Sequence, residues 1–379
     1  MKRIIALILI FMFCFTVNVW AEEDIKIRID DFFTKLDTSP FLIEGRTMIP
    51  VRGVLEILGA IISWDGKTQT VAAKRADVEV RMIINQKTAY INGVAVELDV
   101  APILKDGHTY VPLRVISEAF NQDVTWDSKY KIVNIKEKPV RYTQEQLWWG
   151  YAVAANLTTV NNGSTRCLGG VSRRPLVKRP KSTDESPAAI ASFHRDLLSS
   201  GWGIDDREEC IKTLQQLYRG MHNEVYLEVK YVLDAMTDKQ FSEMMKDIKI
   251  NDQAKAEINF VKKYDKELGD RGIIGWDWSR MVSVTGWGYL AGYLSYEEAT
   301  EIIMGVAQSV QKVFDSWDDI GLSYVRGYEF WSGESVDTQG SGAAYRMDIH
   351  KKLINYENSP YNTLPWNMSL EPDDNTKTY

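Results

Sequence analysis

The chain has 379 residues, with 45 Lys and Arg against 52 Asp and Glu, a formal net charge of −7, and 45% apolar residues. At roughly 100–200 residues per domain this length implies two or three domains with real cores, and the composition excludes a disordered, fibrous or multi-spanning membrane protein. The acidic balance excludes a general nucleic-acid binder, which carries a basic face, and three cysteines exclude a dense disulfide scaffold.

In chain order the first predicted element is an export signal. Lys2 and Arg3 precede an apolar run from Ile4 to Val17, and Val19-Trp20-Ala21 puts small residues at the −3 and −1 positions. These are the three parts of a secretory signal peptide, residues 1–21, with cleavage expected between Ala21 and Glu22. The competing reading is an uncleaved anchor, for which the run falls short of the ~20 residues a spanning helix needs. Cys14 lacks the small preceding residues of a lipoprotein signal. Cleavage leaves 358 residues at 43 − 52 = −9. No second long apolar run follows, so a secreted, extracytoplasmic protein is expected, without a transmembrane segment and associated with the cell surface through its own binding. Of the cysteines, Cys167 and Cys210 remain; a disulfide between them and two free thiols are equal alternatives.

Residues 25–137 contain an internal repeat. Pro40-Phe-Leu-Ile-Glu-Gly-Arg-Thr-Met-Ile-Pro-Val-Arg52 returns as Pro102-Ile-Leu-Lys-Asp-Gly-His-Thr-Tyr-Val-Pro-Leu-Arg114, an offset of 62 that also carries Trp64-Asp65 onto Trp126-Asp127. Between 40–71 and 102–133, 11 of 32 positions are identical without a gap, so duplication is expected. Asn92-Gly93 predicts a hairpin turn, with Asp30-Asp31 at the same offset. Glu44-Gly45 and Asp106-Gly107 predict a second pair of turns. Val51–Leu58 has helical spacing and stops at Gly59, and a short strand is expected over Thr70–Ala73. The domain is thus expected to be small and α+β, built as two sheet-plus-helix units. Its GRTMIPVR and GHTYVPLR blocks, each followed by Trp-Asp, resemble the copper amine oxidase N-terminal-like domain. The resemblance implies an accessory or stalk domain rather than a copper centre. A copper site wants several nitrogen ligands, and His108 is the one histidine here, so neither metal nor cofactor is expected. For Arg52 and Arg114, ligand binding and hydrogen bonding at the helix start are both open.

Beyond Pro139 a mainly α-helical domain is expected over 142–370. Thr143 with Gln146, Thr237 with Gln240, and Ser295 with Glu298 have capping-box spacing. Apolar stripes run through Ile211, Leu214, Leu217 and Tyr218, and through Ile302, Ile303, Val306, Ala307, Val310, Val313 and Phe314. Gly201 and Gly269 read as helix stops, and Gly340-Ser-Gly342 as a linker. Residues 161–190, with five cations among prolines between Arg173 and Lys181, read as an exposed loop, and 371–379 as a disordered tail.

Nine of the 12 tryptophans lie between Trp148 and Trp366. The blocks Trp202-Gly-Ile-Asp205, Trp276-Asp-Trp-Ser-Arg280, Trp287-Gly-Tyr-Leu-Ala-Gly-Tyr293 and Leu364-Pro-Trp-Asn367, taken in series, resemble the uncharacterised domain-of-unknown-function family 1266 from about Leu147 to Asn367. The resemblance implies a helical fold and brings no activity or site residues. It departs from the pattern in the basic loop and in Tyr361, where a tryptophan commonly follows Ser-Pro.

Candidate chemistry rests on acids among aromatics. Asp277 and Arg280 are three apart and share a helix face; Asp318 and Asp319 sit at a helix start, where carboxylates meet free N–H groups. Glycoside cleavage needs two carboxyls ~5–10 Å apart. Asp277, Asp318 or Asp319 with Glu298 or Asp205 would supply them, Arg280 would pair the first, and Trp276, Trp278, Trp287 and Tyr289 would stack on sugar rings. The opposing reading makes Asp277–Arg280 a structural ion pair, Asp319 a cap and the Trp-Gly pairs packing devices. The four histidines lack zinc-ligand spacing, and no G-x-S-x-G elbow or phosphate-binding glycine loop is present. The expectation is a non-catalytic envelope or surface protein that binds cell-wall polymer or another surface protein, with an envelope glycan hydrolase as the alternative.

Overall fold

A computed structural model describes residues 24–29, 32–34, 36–138, 140–171, 187–246 and 251–372. The export signal with Ala21 and Glu22, Asp30-Asp31, Pro139, residues 172–186 of the basic loop and the last seven residues lie outside them.

The N-terminal domain is built from three sheets and two short helices. Strands Phe41–Ile43 and Arg46–Pro50 form a hairpin, as do Ile103–Lys105 and His108–Pro112. Their turns, Glu44-Gly45 and Asp106-Gly107, have positive φ at both residues, the backbone that matches strand twist. Asn92-Gly93 does the same between Thr88–Ile91 and Val94–Glu97. Helices Val51–Ile57 and Leu113–Ala119 follow the second strand of each of the first two hairpins. The two are not equal. Arg52 and Gly53 leave helical geometry, with Gly53 at φ +88°, whereas Val115, with a branched side chain at the position of Gly53, continues its helix. Arg52 and Arg114 are both exposed, and neither helix start takes a side-chain cap.

The halves do not fold as the two separate units expected. Arg46–Pro50 pairs antiparallel with His108–Pro112, in register Val111 to Ile49, so the central four-stranded sheet takes a hairpin from each half. A second sheet joins Lys26–Ile29 of the first half, parallel, to Ile132–Glu137 of the second. A third runs as an antiparallel meander from Ile61–Asp65 to Val94–Glu97. The reason is that a lone hairpin is marginal in water, and pairing across halves gives each the width to bury an apolar face. That face supplies Ile27, Ile49, Leu55, Val71, Met82, Val111, Ile116 and Ile135 to one core.

Among the described residues the C-terminal region is mainly helical from Gln144 onward. All three expected capping boxes form, at Thr143, Thr237 and Ser295. Helix Asp252–Leu268 ends at Gly269 as expected. Helix Pro187–Trp202 runs through Gly201, and Gly203, at φ +65°, follows its end. Gly340-Ser-Gly342 is not a linker: the Ser341 hydroxyl accepts from Ala344 N–H and starts helix Gly342–Asn355. Glu371, placed in the expected tail, is held through its carbonyl by Gln146 at 2.8 Å.

Helix Ile274–Ala291 is the axis of this domain. It is apolar nearly all round, which is the pattern of a helix enclosed by others. Arg207–Arg219, Pro187–Trp202, Tyr296–Val313 and Trp317–Ser332 pack around it. Its glycines make the approaches possible: a Cβ on Gly286 would run into the Gly169 backbone, and one on Gly288 would meet Cys210 Sγ at 2.9 Å. The Leu364-Pro-Trp-Asn367 segment closes the other end. Trp366 packs on Trp149 and Trp317, the Trp149 and Trp317 indoles donate to the carbonyls of Pro365 and Leu364, and Tyr361 stacks on Trp317 at 5.1 Å.

The two regions touch directly. Ala76 N–H donates to Gly292 O at 2.9 Å, Asn121 to Glu297 at 3.2 Å, and Arg141 holds Glu301 in a two-pronged contact.

Candidate binding site

Asp277 projects from the first turns of the axial helix with no exposed surface. A buried carboxylate demands donors, and the start of helix Asn223–Asp234 supplies them: the backbone N–H groups of His222 and Asn223 both reach Oδ2 at 3.0 Å. His222 Nδ1 lies 3.0 Å from Oδ1, and the carboxylate favours the tautomer with its proton on that nitrogen. Arg280 Nη1 stands 3.0 Å from the same imidazole nitrogen and 3.7 Å from Asp277. The expected Asp277–Arg280 pair is therefore one edge of a triangle completed by His222.

Arg280 is flanked by rings, its guanidinium 4.5 Å from the Trp202 ring centre and 4.8 Å from that of Trp276. Burial lowers its pKa to about 10, against the opposing pull of Asp277 and Tyr324. Trp276 continues into Tyr324, Tyr328 and the exposed Trp331. Arg346 lies over Tyr328 at 3.6 Å. This aromatic and guanidinium cluster is the most chemically distinctive part of the molecule.

The other acids named from sequence are held elsewhere. Glu298 closes its capping box and grips Arg207, whose guanidinium, with the serine contact, holds its pKa low against the opposing effect of burial. Asp319 sits in the first turn behind the Ser316 cap and takes a two-pronged contact from Arg271. Asp318, half exposed, accepts from His350 Nε2 at 2.8 Å. Asp205 is exposed.

The four aromatics also separate. Trp276 belongs to the cluster above. Trp278 is in the main core, its indole donating to Tyr218 O at 3.0 Å. Trp287, 11 residues and so ~16 Å along the helix from Trp276, lines a cavity of about 310 Å³ with Tyr151, Cys167, His194 and Ser283. Tyr289 lines a second cavity, of about 400 Å³, between the two regions. Trp276 and Trp278 are 5% and 7% exposed, so most of their ring surface is engaged in packing.

Cys167 and Cys210 do not form a disulfide: both are free. Cys210 is enclosed by the axial helix, and burial pushes its thiol up to about 12. Cys167 opens on the 310 Å³ cavity instead. Among the described residues no three His, Cys, Asp or Glu side chains gather as metal ligands, and no helix is long and apolar enough to cross a membrane.

Sequence reasoning missed His222, Tyr324 and Arg346, whose partners are far away along the chain; His222 lies 55 residues from Asp277. The one local signal was Arg280 set among tryptophans.

Comparison with known proteins bears out both resemblances. Residues 28–135 match the family described as copper amine oxidase N-terminal domain, and residues 197–366 the family described as protein of unknown function, DUF1266. Two relatives are the uncharacterized proteins YbeR and YbeU of Escherichia coli (strain K12). The chain is 25% identical to YbeR over 140 residues, 37% of this chain and 59% of YbeR. It is 22% identical to YbeU over 195 residues, 49% of this chain and 82% of YbeU. The chain thus spans about three fifths of YbeR's length.

Proposed function

We propose that a copper amine oxidase N-terminal domain joined to a DUF1266 domain makes this an exported envelope protein that binds without catalysis. In this reading residues 1–21 are removed between Ala21 and Glu22. The N-terminal domain, a duplicated unit, is the stalk or anchor. The helical domain recognises cell-wall polymer or another surface protein.

One observation carries the preference for binding over glycan hydrolysis. Of the five candidate acids, Asp277, Glu298 and Asp319 are each held by an arginine, a histidine or helix-start N–H groups and Asp318 by His350, so that Asp205 alone stands without such a partner and no opposed pair is formed among them. The stacking residues point the same way, since Trp276 and Trp278 are core rings.

The test incubates the full chain with isolated bacterial cell wall and follows sedimentation. The protein is expected to pellet with the wall; a protein that stays in the supernatant removes the wall as partner and leaves a surface protein as the occupant to seek.

A further inference from the structure

Ten buried side-chain polar atoms lack a hydrogen-bond partner among the described residues, and five of them surround helix Trp317–Ser332 near Tyr324. Three belong to donors: Trp276 Nε1, the Tyr324 hydroxyl and Arg346 Nε. Two are acceptors: His350 Nδ1, whose other nitrogen is engaged by Asp318, and Asn156 Oδ1. The groups are contiguous. Gly321, one turn before Tyr324 on the same helix face, is the residue against which His350 and Asn156 lie.

An unpartnered buried polar atom costs about 1–3 kcal/mol, so five in one place require an explanation other than stability. Their chemistry supplies one. Indole N–H and guanidinium groups donate and never accept. Burial raises the Tyr324 pKa to about 12, and Arg346, close to the hydroxyl but without well-aligned hydrogen-bond geometry, and Arg280 pull it down. Trp276 and Tyr324 are 5% and 0% exposed. The nearest acids are occupied: Asp277 by His222 and two backbone N–H groups, Glu334 by the Ala343 N–H at 3.0 Å. Two cations and two neutral donors thus share one place, where Arg280 has the shared Asp277 at 3.7 Å and no ion pair to Arg346 is seen among the described residues. The exposed Trp331, 5.9 Å from Trp276, brings the ring cluster to the surface.

We infer that this cluster is a binding site for an oxyanion, a phosphate or carboxylate, on a hydroxyl-bearing carrier, with Arg280, Arg346, Trp276 and Tyr324 holding the oxyanion and His350 and Asn156 accepting from a hydroxyl. Planar guanidinium groups suit such oxygens because two parallel N–H groups reach both at once. That the carrier is an anionic wall polymer rests on the envelope reading above; the oxyanion chemistry does not.

The test titrates the full chain with glycerol phosphate and with inorganic phosphate, following tryptophan fluorescence, for wild type, Arg346→Gln and Tyr324→Phe. Saturable binding is expected, tighter for glycerol phosphate, and weakened about tenfold in either variant, the loss of one hydrogen bond to a charged group. Tyr324→Phe keeps the ring and removes an unpartnered hydroxyl, so its melting temperature without ligand is expected to equal or exceed that of wild type. Absence of saturable binding by either probe, or binding that both variants leave unchanged, overturns the site. A Tyr324→Phe protein that melts several degrees lower also overturns it, since the hydroxyl then serves the scaffold. Binding of glycerol phosphate by a protein that fails to sediment with wall upholds the site and removes the wall as its carrier.

Discussion

The two regions bury polarity on different scales. Among the described residues of the N-terminal domain the buried polar side chains are Arg75, Ser117 and Gln122, and the core is otherwise mainly aliphatic. Arg75 is held by Glu137 and Ser117 by its own helix, while Arg75 Nε and Gln122 Oε1 are left without a partner at separate places. The helical domain buries Asn156, His194, Asn223, Lys230, Asp277, Glu329 and His350 among its rings. Some are fully answered: Lys230 reaches Asp234 and Asp265, which raise its pKa, and Glu329 takes Arg326. Others, around Tyr324, are not. An apolar core with polar groups at its rim belongs to a scaffold. Unpartnered atoms occur in both regions, and it is the gathering of five around Tyr324 that sets the helical domain apart.

That contrast can be broken or sharpened by mutation. The largest effect is expected at Asp277→Ala, which leaves two helix-start N–H groups and Arg280 unanswered in the interior; a loss of about 4 kcal/mol should appear in urea unfolding of the helical domain. Gly286→Ala should cost about 3 kcal/mol, because the Gly169 backbone cannot step aside. Gly45→Ala tests the other domain: nothing lies within 4 Å of its added Cβ, so the cost is the φ of +73° alone, about 1 kcal/mol. An equal loss at Gly45 and Gly286 would break the comparison.

His350 gives the contrast a pH signature. Burial depresses its pKa below 6.5, outweighing the opposing pull of Asp318. The unfolded chain then takes up a proton near pH 6.5 that the folded chain refuses, so the stability is full above that pH and falls as pH drops through the folded value. Melting temperature between pH 7 and 5 should fall for wild type and fall less for His350→Gln. Smaller still, Ser295→Ala should cost about 1 kcal/mol through its lost cap. Asp99→Asn, breaking an exposed pair with Arg46, should stay below about 1 kcal/mol.

What was legible in the sequence follows interaction range. Capping boxes lie within three residues, and all three formed. Turn residues dictate their own φ, and Asn92-Gly93 is a hairpin turn. The internal offset located both short helices. Pairing of Val111 with Ile49 was not legible, because nothing local says that halves share a sheet rather than fold apart. Nor was the fate of the tryptophans: Trp276, Trp278 and Trp287 stand on one helix, and only packing sends them to a ring cluster, the core and a cavity. The Asp277 site was half visible, as an acid and an arginine three apart. Its histidine comes from another helix.

The most direct measurement is soluble sugar released from isolated cell wall by the full chain, with Asp277→Asn in parallel. Binding without catalysis predicts release at the level of the buffer blank for both proteins. Release by wild type that Asp277→Asn abolishes, with its fold intact by circular dichroism, would contradict that reading and make Asp277 a catalytic carboxylate.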